Sequence, residues 1–175
     1  MLKTATIVVV ALVALLLLYA ATRPDTFRVE RSVSIKAPPE KIFPLINDYQ
    51  NWKTWSPYEK LDPAMKRTFS GPAAGKGAVY AWDSNSDAGV GRMEILDTSP
   101  PSKVAIKLDF TKPFEAHNLV AFTLEPQGDS TTVKWAMDGP VPYFAKIVHL
   151  FLNMDRLIGT DFESGLANLK AVAEK

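Results

Sequence analysis

Histidine is the first residue type to consider for catalysis or metal binding, and this 175-residue chain has only two, His117 and His149. Neither has a second histidine at i,i+4, the spacing that presents two zinc ligands on one helix face. His117 alternates in phase with Glu115 and out of phase with Phe122, so it is expected to point away from the apolar strand face. His149 lies in an apolar helical segment. We interpret both as surface or structural histidines, and we predict no metal and no cofactor.

Other catalytic patterns are equally weak. With no cysteine, the chain has no thiolate nucleophile. The glycine-rich segment Gly71–Gly77 has three residues between its first glycines, lacks Ser or Thr after Lys76 and leads into no helix, unlike a phosphate-binding loop. The glycines of Gly89–Glu94 lie inside a strand, whereas a dinucleotide-binding turn opens a helix. The acidic residues of the strand region fall in turns or on outward phases: Asp83, Asp87, Glu94, Asp97 and Asp109. No catalytic residue is predicted.

Two polar residues have the phase of the apolar strand face. Tyr80 and Asn118 are expected to point inward beside Trp82 and Phe122. A buried amide needs hydrogen-bond partners, which for Asn118 come either from the sheet and water or from a ligand that the amide orients. Tyr143, at a helix start, could add a hydroxyl at the rim of the same region.

The remaining constellation is apolar, aromatic and rich in methionine. One sheet phase carries Tyr80, Trp82, Met93, Ile95, Ile106, Leu108, Phe110, Phe122, Trp135 and Met137, and Phe144, Ile147, Phe151, Met154 and Ile158 are expected to face it from a helix. A packed core is one interpretation, but methionine adapts to irregular apolar shapes, and we predict a real cavity. The candidate ligand-binding residues are Trp55, Tyr80, Trp82, Met93, Phe110, Asn118, Phe122, Trp135, Met137, Tyr143, Phe144 and Phe151.

The elements before the cavity are a strand and two short helices. Phe27–Ile35 alternates as a strand in which Arg31 is the single break on the apolar face. Prolines 38 and 39 can open a helix that Pro44 kinks or tightens. A second short helix or turn is predicted to end at Pro57. Its tryptophans share a face, Trp55 at the seam with the sheet and Trp52 partly exposed near the cavity entrance.

Six strands and a long helix follow. Strand patterns separated by turn residues occur at 66–71, 77–83, 89–97, 103–110, 115–126 and 131–139. Short connections imply an antiparallel meander, to which the first strand adds a seventh. Pro142–Lys175 has a helical stripe, with a break expected near Asn153 or Gly159. An α+β fold is predicted, in which a curved seven-stranded sheet wraps around the C-terminal helix.

The N-terminus carries a membrane signal. The chain has no charge from Ala5 to Ala21, and a helix of that length spans roughly 25 Å, enough to cross a hydrocarbon core. The stretch exceeds the roughly 7–15 residues of a signal-peptide core and no small-x-small cleavage site follows it, so an uncleaved single-pass anchor is favoured over a cleaved signal. The positive-inside count places the domain in the cytoplasm, whereas a signal-like position favours export, and the side is left open with a preference for export. Residues 1–25 are assigned to anchor and linker, and residues 26–175 to one domain.

Three segments carry a family resemblance. Val29–Tyr58, Phe69–Leu96 and Asp161–Lys170 resemble the polyketide cyclase/dehydrase and lipid-transport group of the START-like, Bet v 1-like (SRPBCC) superfamily, and the likeness covers Phe27–Lys175. The resemblance implies a helix-grip fold. The family includes carriers, cyclases and co-chaperone-type regulators, so it does not by itself select a function. The membrane segment and the apolar stretch Tyr143–Met154 depart from a minimal domain of this kind.

The composition and the resemblance together favour a binding module. A net charge of +1 without a basic run argues against nucleic-acid binding. The leading hypothesis is a monomeric, membrane-anchored domain that holds a lipid or other hydrophobic small molecule between sheet and C-terminal helix. A cyclase- or dehydrase-like enzyme using Tyr80, Asn118 or Tyr143 is the second hypothesis. The third is a regulatory domain that binds a protein through Tyr143–Met154, a segment that could equally lie on the membrane surface.

Overall fold

The computed structural model describes residues 2–84 and 88–175. The helices are α1 (Leu2–Ala21), α2 (Pro39–Asn47), α3 (Tyr143–His149) and α4 (Met154–Ala173), with 3₁₀ helices at Tyr49–Thr54 and Pro57–Lys60. The strands are β1 (Thr26–Ile35), β2 (Lys66–Ser70), β3 (Val79–Asp83), β4 (Val90–Ser99), β5 (Lys103–Lys112), β6 (Ala116–Gln127) and β7 (Ser130–Pro140). Most of the turn predicted between β3 and β4, including Asp87, lies outside the described residues.

All seven strands form one antiparallel sheet in the order β1-β7-β6-β5-β4-β3-β2. The meander from β2 to β7 follows the chain, and β1 closes the far edge by pairing with β7 from Thr26–Pro140 to Ile35–Thr131. Because the strands alternate apolar and polar residues, one face of the sheet is buried and the other faces solvent. The predicted sheet is confirmed, and with α4 packed on its inner face the architecture is a helix grip.

Arg31, the break in the apolar face of β1, lies under the start of α4. Its guanidinium donates hydrogen bonds to the carboxylates of Asp155, at 3.0 Å, and Glu163, at 2.6 Å. Gly159 of α4 lies over the guanidinium, where a Cβ would overlap it. The strand therefore tolerates the charge because α4 supplies two carboxylates and a gap to receive it.

The tryptophans between β1 and β2 close the end of α2. Trp52 Nε1 donates to the Ile46 carbonyl oxygen at 2.9 Å, and Trp55 Nε1 donates to the Leu45 carbonyl oxygen at 2.8 Å. These carbonyls belong to the last turn of α2 and lack partners within the helix. Trp52 is therefore buried, and the prediction of its partial exposure was wrong. Trp55 packs against Phe122 of β6, at the predicted seam.

The predicted break in the C-terminal helix lies at Asn153, whose side chain accepts a hydrogen bond from the Arg156 backbone N–H and caps α4. Helix α4 packs most extensively on β1. Its Phe162 ring stacks on Trp135 of β7, with ring centroids 4.0 Å apart. Gly165 permits this approach, since a Cβ there would come within 2.7 Å of the Trp135 ring.

Helix α1 stands apart from the core. Its Lys3–Ala21 segment, with a mean hydropathy of 2.6 and most of its surface exposed, is the one described helix long and apolar enough to cross a membrane. A signal sequence would share these properties. The base of α1 contacts α3, and Ala20 is fully buried there.

Candidate functional site

Aromatic side chains fill the middle of the space between the sheet and α4. The rings of Trp55, Phe122 and Trp135 lie 4.9–6.0 Å apart between centroids and are at most 3 % exposed. Trp52 joins them from the first 3₁₀ helix. In the described residues, the apolar cavity predicted between the sheet and the C-terminal helix does not extend into this central region, because the 3₁₀ tryptophans and Phe162 occupy it.

Side chains on the inner face of the sheet are slightly more exposed toward one end. Ile95, Ile106, Phe122 and Val133 are completely buried. Toward the end formed by Thr26 of β1 and Pro140 of β7, the corresponding positions retain 5–9 % exposure. We call these six residues the Asn118 patch: Trp82, Met93, Leu108, Asn118, Val120 and Met137. The register places them side by side, with Met93 opposite Leu108, Leu108 opposite Asn118 and Val120 opposite Met137.

Asn118 is the polar centre of this patch. It is only 8 % exposed, yet its carboxamide makes no hydrogen bond to any of the described residues. Its atoms are also not among the fully enclosed polar atoms that lack a partner, so the carboxamide is not completely sealed from solvent. Gly139 of β7 makes the room, because a Cβ at that position would overlap Asn118 Oδ1. The inward orientation predicted for Asn118 agrees with this placement.

The other two polar candidates are already engaged. Tyr80 Oη donates a 2.5 Å hydrogen bond to Glu59, whose carboxylate also pairs with Arg67 at 2.7 Å. Burial and the Glu59 carboxylate raise the pKa of Tyr80 well above its usual value. Tyr143 Oη donates to the Leu17 carbonyl oxygen of α1 at 2.8 Å. Sequence reasoning missed Glu59 and Arg67, which meet Tyr80 only through the fold.

Helix α3 does not lie over the sheet. Phe144 is 70 % exposed and Phe151 is 73 % exposed, so the expectation that they face the inner sheet was wrong. The physical reason is the break at Asn153, which lets α3 turn away and pack on α1 instead. Tyr143 lies at that helix–helix contact rather than at a cavity rim. Whether these three residues touch a ligand stays a prediction.

The remaining candidates divide between the patch and the packed centre. Trp82 and Phe110 meet edge to face at 5.5 Å, with Phe110 only partly buried at the border of the patch. Trp55, Phe122 and Trp135 belong to the packed centre. Trp135 Nε1 and Tyr49 Oη are buried without a partner, but both are fully enclosed.

Neither histidine forms part of this region. On the solvent face of the sheet, His117 Nδ1 lies 2.7 Å from Asp109 Oδ1, and its Nε2 lies 3.3 Å from Glu115. The Asp109 contact could not be predicted from spacing, because it depends on the β5–β6 register, in which Asp109 pairs with His117. Partial burial lowers the pKa of His149. Within residues 2–84 and 88–175, no group of three or more His, Cys, Asp or Glu side chains is arranged to hold a metal ion.

Two open grooves lie on the described surface. One, of about 570 Å³, runs from Phe151 to Asp161 along the corner between α3 and α4. The other, of about 420 Å³, lies along β2–β5 and is lined largely by solvent-face residues such as Thr68 and Arg92, but also by Trp82 of the Asn118 patch. Neither groove opens between the sheet and α4. The Asn118 patch is set apart from the packed centre only by its residual exposure of 5–9 %.

Comparison with known proteins identifies the fold and a family. A family profile described as "Polyketide cyclase / dehydrase and lipid transport" matches residues 26–174. Major latex-like protein 151 from Panax ginseng superimposes with a TM-score of 0.61 at 13 % identity, covering 87 % of this chain and 100 % of its own. A protein from Chromobacterium violaceum gives 0.59 at 16 % identity, covering 87 % and 99 %. The Aha1 dimer of Colwellia psychrerythraea gives 0.55 at 18 % identity, covering 82 % and 96 %. The search of curated proteins finds no match.

Proposed function

We propose that the chain, which belongs to the polyketide cyclase/dehydrase and lipid-transport family, binds a hydrophobic small molecule at the Asn118 patch. Members of this Bet v 1-like family commonly bind hydrophobic ligands. The observation that carries the proposal is the Asn118 carboxamide, which is nine-tenths buried among apolar side chains and has no hydrogen-bond partner among the described residues. A ligand that hydrogen-bonds to this amide would satisfy a polar group for which none of the described residues supplies a partner.

The side-chain composition of the Asn118 patch supports one class of ligand. Five of its six side chains are apolar or aromatic and only Asn118 offers hydrogen bonds, a carboxamide that both donates and accepts. The matching molecule is an apolar chain or ring system with one carbonyl, carboxyl or hydroxyl group. Each buried CH₂ would contribute about 0.8 kcal/mol, with part of the sum offset by ordering of the ligand.

Methionine makes the patch adaptable. Met93 and Met137 flank it on β4 and β7, and their unbranched side chains change rotamer at low cost. A ligand can therefore enter by displacing these two side chains while the aromatic centre stays packed. This limits the ligand to the end of the sheet beyond Trp135.

We further propose that α1 is retained as a membrane anchor for a domain formed by residues 26–175. Ala20 is fully buried against the domain, and Tyr143 donates to the Leu17 carbonyl oxygen. A signal sequence that is cleaved off would not need these contacts with the folded domain. The anchor would hold the Asn118 patch beside a lipid bilayer, which supports a lipid as the ligand. The side of the membrane stays a prediction, with export preferred.

The test is native mass spectrometry of the full-length chain, released from detergent after purification from membranes. The proposal predicts a retained small molecule, lost in Val120→Phe, which fills the patch. Leu119→Phe is the matched control, because Leu119 is the next residue of β6, points to solvent and is 57 % exposed. A wild-type chain without any retained mass, and without affinity for an added fatty acid, contradicts the proposal.

The enzymatic alternative draws less support from the geometry. It requires a polar group free to donate a proton, and the hydroxyls of Tyr80 and Tyr143 are held by Glu59 and the Leu17 carbonyl oxygen. A binding function needs only the Asn118 amide. The alternative, in which α3 binds a protein partner, is tested by measuring whether Phe114 and Phe151 contact lipid when the chain is in nanodiscs.

A further inference from the structure

Exposed aromatic side chains gather at one end of the sheet. Phe114, at the tip of the β5–β6 hairpin, is 77 % exposed. Phe144 and Phe151, on and just after α3, are as exposed as Phe114, and Leu152 is about half exposed. We call these four residues the apolar collar. Isolated exposed apolar residues are common, but several large ones at the same end indicate an interaction surface.

The strand register places Phe114 and the start of α3 at the same end of the sheet as the membrane helix. Thr26, which follows the α1 linker, pairs with Pro140, which precedes α3. Leu119 pairs with Asp138, so the chain before Ala116 that carries Phe114 extends past Pro140 at the same end. The turns β4–β5 and β6–β7, which carry Ser102 and Asp129, lie at the opposite end.

Helix α3 is fixed to the base of α1. Lys146, almost fully buried, pairs with Asp25 of the linker at 2.5 Å. The Val141 backbone N–H donates to the Asp25 carbonyl oxygen at 2.7 Å, and Tyr143 donates to the Leu17 carbonyl oxygen. These contacts on both sides of the linker hold α3 against the end of α1 that would emerge from a bilayer.

We infer that the apolar collar rests in the interfacial layer of the bilayer that α1 spans. The inference rests on the proposed anchoring by α1. The occupant is a lipid surface rather than a protein because α3, which carries Phe144, packs against the membrane-spanning helix and is fixed to it and its linker by the three hydrogen bonds named above. Aromatic and apolar side chains at the head-group level are typical of such a contact.

Charge at this end does not select an anionic membrane. Lys146 pairs with Asp25 and Glu115 balances Lys112, so Arg23 is the only one of these three cations without a matching carboxylate in this group. Attachment therefore depends on burial of apolar surface, and it is expected to persist on neutral lipid and at high salt.

With the apolar collar in the interfacial layer, the Asn118 patch also lies close to the bilayer. The Asn118 patch lies at the same end of the sheet, four residues along the chain from Phe114. An apolar ligand would pass between bilayer and patch without crossing water. The substrate class is then a membrane lipid or a lipid-soluble molecule, which narrows the proposed function.

The experiment uses the absence of cysteine from the chain. Phe114→Cys, Phe151→Cys and the opposite-end control Asp129→Cys are each labelled with an environment-sensitive fluorophore, and the full-length chain is placed in phosphatidylcholine nanodiscs. All three positions are exposed, so labelling should not disturb the fold. Quenching by nitroxide-bearing lipids is compared with quenching by aqueous iodide, at low and high salt.

The expected result is at least a fivefold preference for lipid quencher at positions 114 and 151, unchanged by salt, and a preference for iodide at 129. Equal iodide access at all three positions would overturn the inference. So would shielding that appears only in nanodiscs with two copies, which would assign the face to a second chain. Ligand retention is measured separately, so the proposed function can stand if the collar fails.

Discussion

Asn118 and Gly139 lie side by side on β6 and β7, and the Asn118 carboxamide oxygen occupies the space that a side chain at position 139 would need. The buried Asn118 amide therefore faces the apolar end of the sheet, and no described residue forms a hydrogen bond with it. The proposed binding site depends on this pair, so the pair is the first place to test it.

Gly139→Ala should weaken ligand binding. The new methyl group would overlap Asn118 Oδ1 and approach the Phe27 ring, so the amide must rotate out of the patch. We expect at least a tenfold loss of affinity for a fluorescent fatty acid. Gly128→Ala is the control, because Gly128 has a positive φ of 64° but nothing within 4 Å of the added Cβ. It should lower stability by about 1 kcal/mol and leave affinity unchanged.

Gly165→Ala should destabilise the fold even though alanine favours helices. Its Cβ would lie 2.7 Å from the Trp135 ring and 3.0 Å from Pro57, neither of which can move easily. A gain in helix propensity of about 1 kcal/mol is outweighed by overpacking of about 1–3 kcal/mol.

Gly159→Ala provides the matched comparison on the same helix, because the atoms nearest to its Cβ belong to the end of the Arg31 side chain, which can shift by giving up some of its hydrogen bonds to Asp155 and Glu163. It should be tolerated better than Gly165→Ala in chemical denaturation. Equal losses in the two variants would show that α4 does not approach Trp135 as closely as described.

The Tyr80–Glu59 hydrogen bond is expected to stabilise the fold rather than to serve the ligand. Tyr80→Phe removes the 2.5 Å bond and leaves Glu59 paired with Arg67, so the free energy of unfolding should fall by about 1 kcal/mol. Fatty-acid affinity should stay within twofold of the wild type. A large loss of binding with unchanged stability would instead place the Tyr80 hydroxyl in the site.

His117 should titrate above its ordinary pKa. The hydrogen bond with Asp109, together with the nearby carboxylate of Glu115, raises the pKa of His117 above 6.5. Because the folded pKa is the higher one, the stabilisation is complete below the unfolded pKa and is lost as pH rises through the folded value. NMR titration of the imidazole should show this shift, and Asp109→Asn should move the pKa back toward 6.5. An unshifted pKa with Asp109 present would contradict the contact.

Alternation of apolar residues was sufficient to predict the sheet, because a sheet with one buried face imposes a period of two on every strand. The same reasoning placed Arg31 and Asn118 on the inner face. It could not identify the partners of these residues, since Asp155 and Glu163 reach Arg31 only after α4 has packed. Nor could the alternation show that the Asn118 carboxamide has no hydrogen-bond partner among the described residues.

The segment Tyr143–Met154 was placed wrongly for a physical reason. It is apolar on nearly all sides, so periodicity could not indicate which face meets the protein. The structure packs α3 on the base of α1, a contact that domain-level reasoning about residues 26–175 does not consider. Trp52 was misplaced because a buried indole acting as a cap for α2 leaves no distinct spacing in the sequence.

The central claim, that the Asn118 patch binds an apolar molecule, is tested most directly by photolabelling. A fatty acid with a diazirine in its chain is bound to the full-length protein in nanodiscs, irradiated, and mapped by peptide mass spectrometry. The account predicts labels on Met93, Leu108, Val120 and Met137, greatly reduced in Asn118→Leu. Labels confined to α1, α3 or the solvent-face groove would contradict it.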